Sequence, residues 1–291
     1  MLCLPRPTVD IEGEETPVLL YDTVPQFRDF LWALYAPPNE LFQETGMERL
    51  LNVAELSNKY CFFSLEAWTI DRIHSLVREC VCAGVLHSVT PYICGRILHV
   101  ASLCHHQQLQ EVLAKHLAMR ILWYNTPPES ILSIAEKHGL RTLIGVCYYR
   151  QLVNMERTTS RRNSSAQTVF SFPINNEKRM RFSAARDSLL NIWQQIRSHP
   201  PPLSCEGCPS HTECELSWQL IWFEACEMDE IHRQDSADIL GRMKALMLWL
   251  RKAMADVPSM SMPCKMAALD AITQTRDKVI DGLLLHFMRA A

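Results

Sequence analysis

The sequence predicts a mainly α-helical protein. Only nine of its 291 residues are glycine, and Leu, Ala, Met, Glu, Gln and Arg dominate the stretches in which apolar residues recur at helical spacing. Unbranched side chains lose little rotamer freedom in a helix, whereas glycine costs conformational entropy there. Apolar residues make up 48% of the chain, which is enough for a sizeable core. At roughly 100–200 residues per domain, the chain is expected to form one large or two modest domains.

The N-terminal part is predicted to contain a loop, one short strand and three helices. Residues 1–16 carry prolines and an acidic cluster, which is typical of a loop. The apolar run 17–21 is rich in strand formers. Asp22 or Thr23 is placed to cap a helix that starts near Pro25 and stops before Pro37-Pro38. Apolar stripes predict two more helices, over residues 48–60 and from Ser64 to about residue 80.

A weak internal repeat predicts αα-hairpins. The hairpins over residues 83–156 are expected to follow the N-terminal part directly. In each copy a small residue lets two helices approach, a ring covers the turn, and a leucine anchors the second helix. The ring lies three or four positions after the small residue and the leucine lies eight after it. The three copies are Ser57/Tyr60/Leu65, Ala101/His105/Leu109 and Ala135/His138/Leu143.

A polar, basic stretch over residues 157–182 is predicted to be a surface linker. Phosphorylation of Ser164 or Ser165 after Arg161-Arg162, a nuclear import signal and a nucleic-acid contact are the alternatives to a solvated loop. The net charge of −3 gives the whole chain no electrostatic reason to bind nucleic acid. Helical periodicity resumes at residue 183 and predicts a C-terminal helical region, with helices at about 183–196, 214–229, 237–255 and 262–288.

Membrane, secretory and enzymatic signatures are missing from the sequence. No apolar run approaches the roughly 20 residues that a bilayer requires, and no secretory signal is seen, so a cytoplasmic or nuclear protein with reduced thiols is expected. A Gly-rich phosphate loop, Gly-x-Ser-x-Gly and His-Glu-x-x-His are all missing, which predicts that the chain is not an enzyme. A triad assembled only in space leaves no such signature.

The segment 18–80 resembles the second half of a BTB/POZ domain. That family shows a strand, then a helix that ends in aliphatic-x-x-Leu-Tyr, then x-Ala-x-x-x-x-Lys-Tyr. The matching residues are Pro17-Val18-Leu19-Leu20-Tyr21-Asp22, then Val24, Phe27, Phe30, Leu31 and Leu34-Tyr35, then Leu51-Asn52-Val53-Ala54-Glu55-Leu56-Ser57-Asn58-Lys59-Tyr60, and Leu65. The tail resembles fungal, mushroom-type BTB proteins through Pro200-Pro201-Pro202-Leu203, Cys205, Cys208, His211, Cys214, Trp218, Trp222 and Asp238-Ile239-Leu240-Gly241-Arg242.

The resemblance implies a non-enzymatic protein-binding function. It implies a partial BTB/POZ fold followed by BACK-like helical hairpins, and an adaptor role with a cullin scaffold in a ubiquitin ligase complex. The family's first half, which carries its usual dimer helix, has no counterpart here, so a truncated member without homodimerisation is expected. A degenerate relative without independent activity is a further alternative. The implied partner-binding residues are Phe27, Phe30, Leu31, Tyr35, Tyr60, Leu65 and Trp68.

Four metal-ligating side chains lie within ten residues, in the order Cys205, Cys208, His211 and Cys214. Thiolate and imidazole are the ligands that Zn²⁺ prefers, so a zinc-binding regulatory protein is the alternative function. The uniform three-residue spacing leaves little chain to surround one ion, which favours a helix-entry loop with incidental cysteines and no cofactor. A distant ligand would complete a site, and the candidates are Cys226, His232 and Cys264.

Overall fold

The computed structural model describes residues 20–37, 45–82, 89–162 and 176–288. Over these ranges the protein is mainly helical, as predicted, and no strand occurs. Of the run predicted as a strand, Leu20 and Tyr21 are irregular, and residues 17–19 lie outside the described ranges. Within the same ranges, every helix is too short or too polar to cross a membrane. The chain divides into two compact units between Leu117 and Ala118.

Helix α2 is the centre of the first unit, because it packs against α1, α3 and α4. It buries Leu50, Leu51, Val53 and Ala54 completely. The Thr23 side chain caps α1 by accepting from the backbone N–H of Gln26, and the Gln26 side chain accepts from the backbone N–H of Thr23, which completes a capping box. The helices of this unit are α1 (Val24–Tyr35), α2 (Met47–Lys59), α3 (Phe63–Cys82), α4 (Pro91–Leu103) and α5 (Gln107–Trp123), the last of which continues into the second unit.

Asp22 joins the start of α1 to the end of α2. Its carboxylate accepts a hydrogen bond from Lys59 Nζ at 2.5 Å and another from the Tyr60 hydroxyl. Burial alone raises the pKa of Asp22, but these two donors outweigh it and lower the pKa below the usual value. The Lys-Tyr pair on which the BTB/POZ resemblance rests therefore has a structural role, which is to fix where α1 begins.

The backbones of α7 and α12 approach each other closely in the second unit. A Cβ atom built on Gly145 of α7 would lie 2.6 Å from the backbone nitrogen of Leu284 in α12, so glycine permits this approach. Helices α8, α9 and α10 pack against α11 or α12, and α6 packs against α7. In chain order they are α6 (Glu129–Lys137), α7 (Arg141–Arg162), α8 (Asn176–Ser198), α9 (His211–Cys226), α10 (Asp229–His232), α11 (Ile239–Ala253), a 3-10 turn (Met254–Asp256) and α12 (Met262–Met288).

The three copies of the sequence repeat coincide with three helix–turn–helix connections of the same backbone geometry. In each, the carbonyl of the small residue accepts from the N–H five positions later: Phe62 to Ser57 at 2.8 Å, His106 to Ala101 at 2.8 Å and Leu140 to Ala135 at 2.9 Å. The residue before each donor has a positive φ, at Cys61, His105 and Gly139. This is the left-handed turn that ends many helices. All three small residues are fully buried.

The stretch predicted as a linker is helical at both ends. Helix α7 continues to Arg162, and α8 begins at Asn176. Arg157 pairs with Asp235 at 2.7 Å and with Asp238 at 2.8 Å, so it anchors a helix and does not lie in a solvated loop. Charged residues that pair inside a protein resemble loop residues in sequence, and for this reason the helical ends were included in the predicted linker. The linker prediction for residues 163–175 stays a prediction, because they lie outside the described residues. The proposed phosphorylation sites, Ser164 and Ser165, lie outside the described residues.

Candidate metal centre

Three segments of the second unit bring cysteines together. The loop before α9 carries Cys205 and Cys208, and Gly207 between them has φ +77°, a conformation that glycine adopts without strain. Cys214 lies in the first turn of α9 and Cys264 in the first turn of α12. Helix packing thus places a residue some fifty positions away beside the predicted motif.

The sulfurs of Cys208, Cys214 and Cys264 all lie within 4.8 Å of one another, and we call these three residues the thiol cluster. The Cys208 and Cys214 sulfurs are 3.8 Å apart. A tetrahedral zinc ion with Zn–S bonds of about 2.3 Å separates its sulfur ligands by about 3.8 Å. The cluster therefore has nearly the spacing of three corners of a zinc tetrahedron.

Two candidates lie where a fourth ligand would be needed. His211 Nδ1 is 3.7 Å from the Cys264 sulfur. Cys205 lies three residues before Cys208 in the same loop, and its sulfur is 3.9 Å from the carbonyl oxygen of Glu206. Either residue would complete the set of four ligands that a tetrahedral zinc ion takes.

Hydrogen-bond donors stabilise negative charge on the cluster. Ser261 donates its backbone N–H to the Cys214 sulfur at 3.3 Å, and its hydroxyl lies 3.2 Å from the Cys208 sulfur. That hydroxyl is the largest cause of a lowered pKa at Cys208, and the backbone N–H of Ser210 adds to it. Burial raises the pKa of Cys264 to about 12; the hydroxyl of Ser261 opposes this, and hydrogen bonds that the Cys264 thiol donates to neighbouring cysteines add to it. A bound cation reverses the effect of burial, because metal coordination deprotonates a thiol.

The other two distant candidates are placed elsewhere. Cys226 lies twelve residues beyond Cys214 on α9, which is about 18 Å along the helix axis. Burial raises its pKa to about 12, as expected for a cysteine that packs as a small apolar residue. His232 lies 3.9 Å from Glu227. Of the three candidates, the structure brings Cys264 to the motif.

Two buried tryptophans hold the cysteine-bearing loop in place. Trp218 donates from Nε1 to the carbonyl of Pro201 at 2.8 Å, and Trp222 donates to the carbonyl of Ile196 at 3.2 Å. Both side chains are almost completely buried, and their rings contact each other edge to face at 5.2 Å. These hydrogen bonds hold the end of α8 and the segment that follows it in place, and this segment leads to Cys205.

The predicted partner-binding residues of the first unit are only partly accessible. Phe30 is 4% exposed and packs against the rings of Tyr60 and Phe62, so it is unavailable to a partner. Leu31 and Tyr35 are exposed, Tyr35 by 83%. Half-buried positions are occupied by Phe27, Tyr60, Leu65 and Trp68. Sequence spacing missed Tyr21 and Phe63, which are 97% and 73% exposed.

Comparison of the chain with models of protein families, with curated proteins and with solved structures gives no match. The resemblance to BTB/POZ domains therefore stays a prediction, and the functional argument rests on the geometry of the chain itself.

Proposed function

We propose that the second unit binds one zinc ion in a structural, non-catalytic site. Cys208, Cys214 and Cys264 are three of its ligands, and Cys205 is the fourth. The observation that carries the proposal is the approach within 4.8 Å of three sulfurs from separate segments. Four protein ligands leave no open position for a substrate, and this is the usual difference between structural and catalytic zinc.

The surroundings of the sulfurs favour thiolates over an incidental group of buried thiols. Backbone and hydroxyl donors directed at cysteine sulfurs lower the cost of their negative charge. Cys205 is preferred to His211 as the fourth ligand because Gly207 bends the chain between Cys205 and Cys208. A turn between the two cysteines is what a Cys-x-x-Cys half-site requires, because both of its thiols bind the same ion.

The zinc content of the purified full chain tests the proposal. We expect about one zinc per chain by elemental analysis, and a marked loss in Cys208→Ser and in Cys264→Ser. Cys226→Ser is the matched control, because it changes a buried cysteine outside the cluster. Less than about one tenth of a zinc per chain, in protein purified and refolded with zinc present, refutes the proposal.

The fourth ligand is identified by a second pair of variants. Cys205→Ser removes a direct ligand and is expected to weaken zinc binding by more than the roughly 10–100-fold that loss of an outer-shell partner costs, whereas His211→Ala leaves it nearly unchanged. Cobalt substitution reports the ligand set independently, because its absorption differs between four sulfurs and three sulfurs with one nitrogen. A larger loss of zinc affinity in His211→Ala than in Cys205→Ser would identify His211 as the fourth ligand.

Protein binding through the first unit is the second candidate function. The observation that favours it is the exposure of Tyr21, Tyr35 and Phe63, since large aromatic side chains are enriched at the energetic centres of interfaces. From the BTB/POZ resemblance we propose a cullin scaffold as the partner, with this chain as adaptor.

Co-elution with the N-terminal region of a cullin tests this second function. Tyr35→Ala is expected to weaken the complex by about tenfold or more, whereas Tyr92→Ala, an equally simple truncation of an exposed tyrosine on α4, leaves it intact. Absence of a complex at micromolar concentration removes the adaptor role, and zinc binding in the second unit is unaffected by that outcome.

A further inference from the structure

A cavity of about 390 Å³ opens in the second unit and shares no residue with the thiol cluster. Trp123 at the end of α5, Arg150 in the middle of α7, and Lys244 and Leu248 of α11 form much of its wall. The volume falls within the roughly 300–1,000 Å³ that small-molecule sites occupy in proteins. The wall thus combines aromatic and aliphatic side chains with three cationic groups, one glutamine and one carboxylate.

The single carboxylate in the cavity wall is already neutralised. Asp238 accepts from the Tyr149 hydroxyl at 2.7 Å, from Arg157 at 2.8 Å and from the backbone N–H of Gly241 at 2.9 Å. Arg157 in turn also pairs with Asp235. These groups satisfy one another, so neither the carboxylate nor Arg157 is left to bind a ligand.

Arg150 and Lys244 are different, because neither pairs with a carboxylate in the part of the chain that the structure describes. Arg150 donates from Nη2 to the side-chain oxygen of Asn125 at 2.7 Å. Asn125 has φ +55°, a left-handed conformation that asparagine adopts more readily than most residues. A neutral acceptor held in this way orients the guanidinium without cancelling its charge.

Burial lowers the pKa of Arg150, and the nearby positive charge of Arg157 adds to this. The negative charge of Asp238 opposes both effects, but this carboxylate is hydrogen-bonded to Arg157 and forms no ion pair with Arg150. An anion that enters the cavity would therefore add to the stabilisation of the half-buried guanidinium of Arg150. Lys244 places its Nζ 4.8 Å from the centre of the Trp123 ring. The second cation therefore stands directly beside the aromatic surface.

We propose that this cavity binds a small organic anion, a carboxylate or phosphate group carried on a planar ring. Arg150 and Lys244 bind the charged group, and Trp123 and Leu248 contact the ring. A guanidinium group fits the geometry of a carboxylate and of a phosphate. The experiment below therefore decides which of the two anionic groups the cavity prefers. The inference is independent of zinc binding.

Ligand-observed NMR and calorimetry on the full chain test the site with defined probes. Phenyl phosphate and benzoate are expected to bind with dissociation constants on the order of a millimolar, whereas benzyl alcohol, which keeps the ring without the charge, binds at least about tenfold more weakly. The tighter of the two anions identifies the charged group that the cavity prefers.

Substitutions locate the binding. Arg150→Gln and Lys244→Gln are each expected to weaken phenyl phosphate by about five- to tenfold, and Lys252→Gln, which removes an exposed lysine further along the same helix, leaves it unchanged. Lys244 is exposed, so its variant remains informative even where Arg150→Gln fails to fold. Equal affinity for benzyl alcohol and phenyl phosphate, or unchanged affinity in Lys244→Gln, overturns the proposal.

Discussion

The contact between α7 and α12 provides a direct test of the packing in the second unit. In Gly145→Ala the new Cβ atom meets Leu284 N at 2.6 Å, Leu283 Cβ at 3.1 Å and Leu284 Cα at 3.2 Å. Ordinary contact begins at about 3.4 Å, so α12 must move by about 0.8 Å. Two of the three obstructing atoms are backbone atoms, and rotation of a side chain cannot move them away.

The expected cost follows from two opposing effects. Alanine in place of a helical glycine gains about 1 kcal/mol of helix propensity, and overpacking of this kind costs about 1–3 kcal/mol. Because the obstruction is backbone, we expect the upper end of that cost and a net loss of about 2 kcal/mol. For a unit of this size the loss lowers the melting temperature by about 4–8 °C.

Gly282→Ala is the matched control on α12. No atom lies within 4 Å of the Cβ that it would add, so the propensity gain is unopposed and a stabilisation of up to about 1 kcal/mol is expected. Denaturant unfolding of both variants, monitored by circular dichroism, shows whether each substitution raises or lowers the free energy of unfolding. A Gly145→Ala protein as stable as Gly282→Ala refutes the close approach of the two helices.

The left-handed turns at His105 and Gly139, and the histidine pair His74 and His106, give two further predictions. His105→Gly is expected to stabilise the chain by about 0.5–1 kcal/mol, because glycine adopts a positive φ without strain. Gly139→Ala is expected to destabilise it by about 1 kcal/mol for the same reason. Equal effects of both substitutions in a thermal melt would contradict the shared turn geometry. Burial, and then the nearby His106 and Arg78, lower the pKa of His74 below 6.5 despite the opposing charge of Asp71, and the two histidine rings lie 4.9 Å apart. The neutral form is therefore favoured in the folded state, so stability is full above pH 6.5 and falls as the pH drops through the folded pKa. His74→Gln should reduce this loss between pH 7.5 and 5, and an unchanged pH profile argues against it.

Local patterns predicted the helices well where one face carries apolar residues without interruption. The predicted helix 262–288 matches α12 at both ends, since its periodicity is continuous and Pro263 suits a first turn. The repeat of Ser57, Ala101 and Ala135 marked three turns for the same reason: each small residue lies where two helices approach. The helix predicted from Ser64 begins one residue earlier, at Phe63.

The sequence alone could not show which residues far apart in the chain come into contact. Cys264 was one of three distant candidates, and only the packing of α12 against α9 separates it from Cys226. Arg157 looked like a loop residue because its partners, Asp235 and Asp238, lie some eighty positions away. Spacing along one helix likewise could not show that Phe30 is covered by Phe62, a residue from the turn after α2.

The position of the thiol cluster also has a consequence for the unfolded chain. An ion held by Cys208 and Cys264 closes a loop of about 57 residues that contains all of α9, α10 and α11. By the chain-entropy relation for covalent cross-links, closing such a loop removes about 4 kcal/mol of unfolded-state entropy at 25 °C. An ion in the proposed site would therefore act as a topological constraint between α9 and α12, and its removal would take away that contribution to stability.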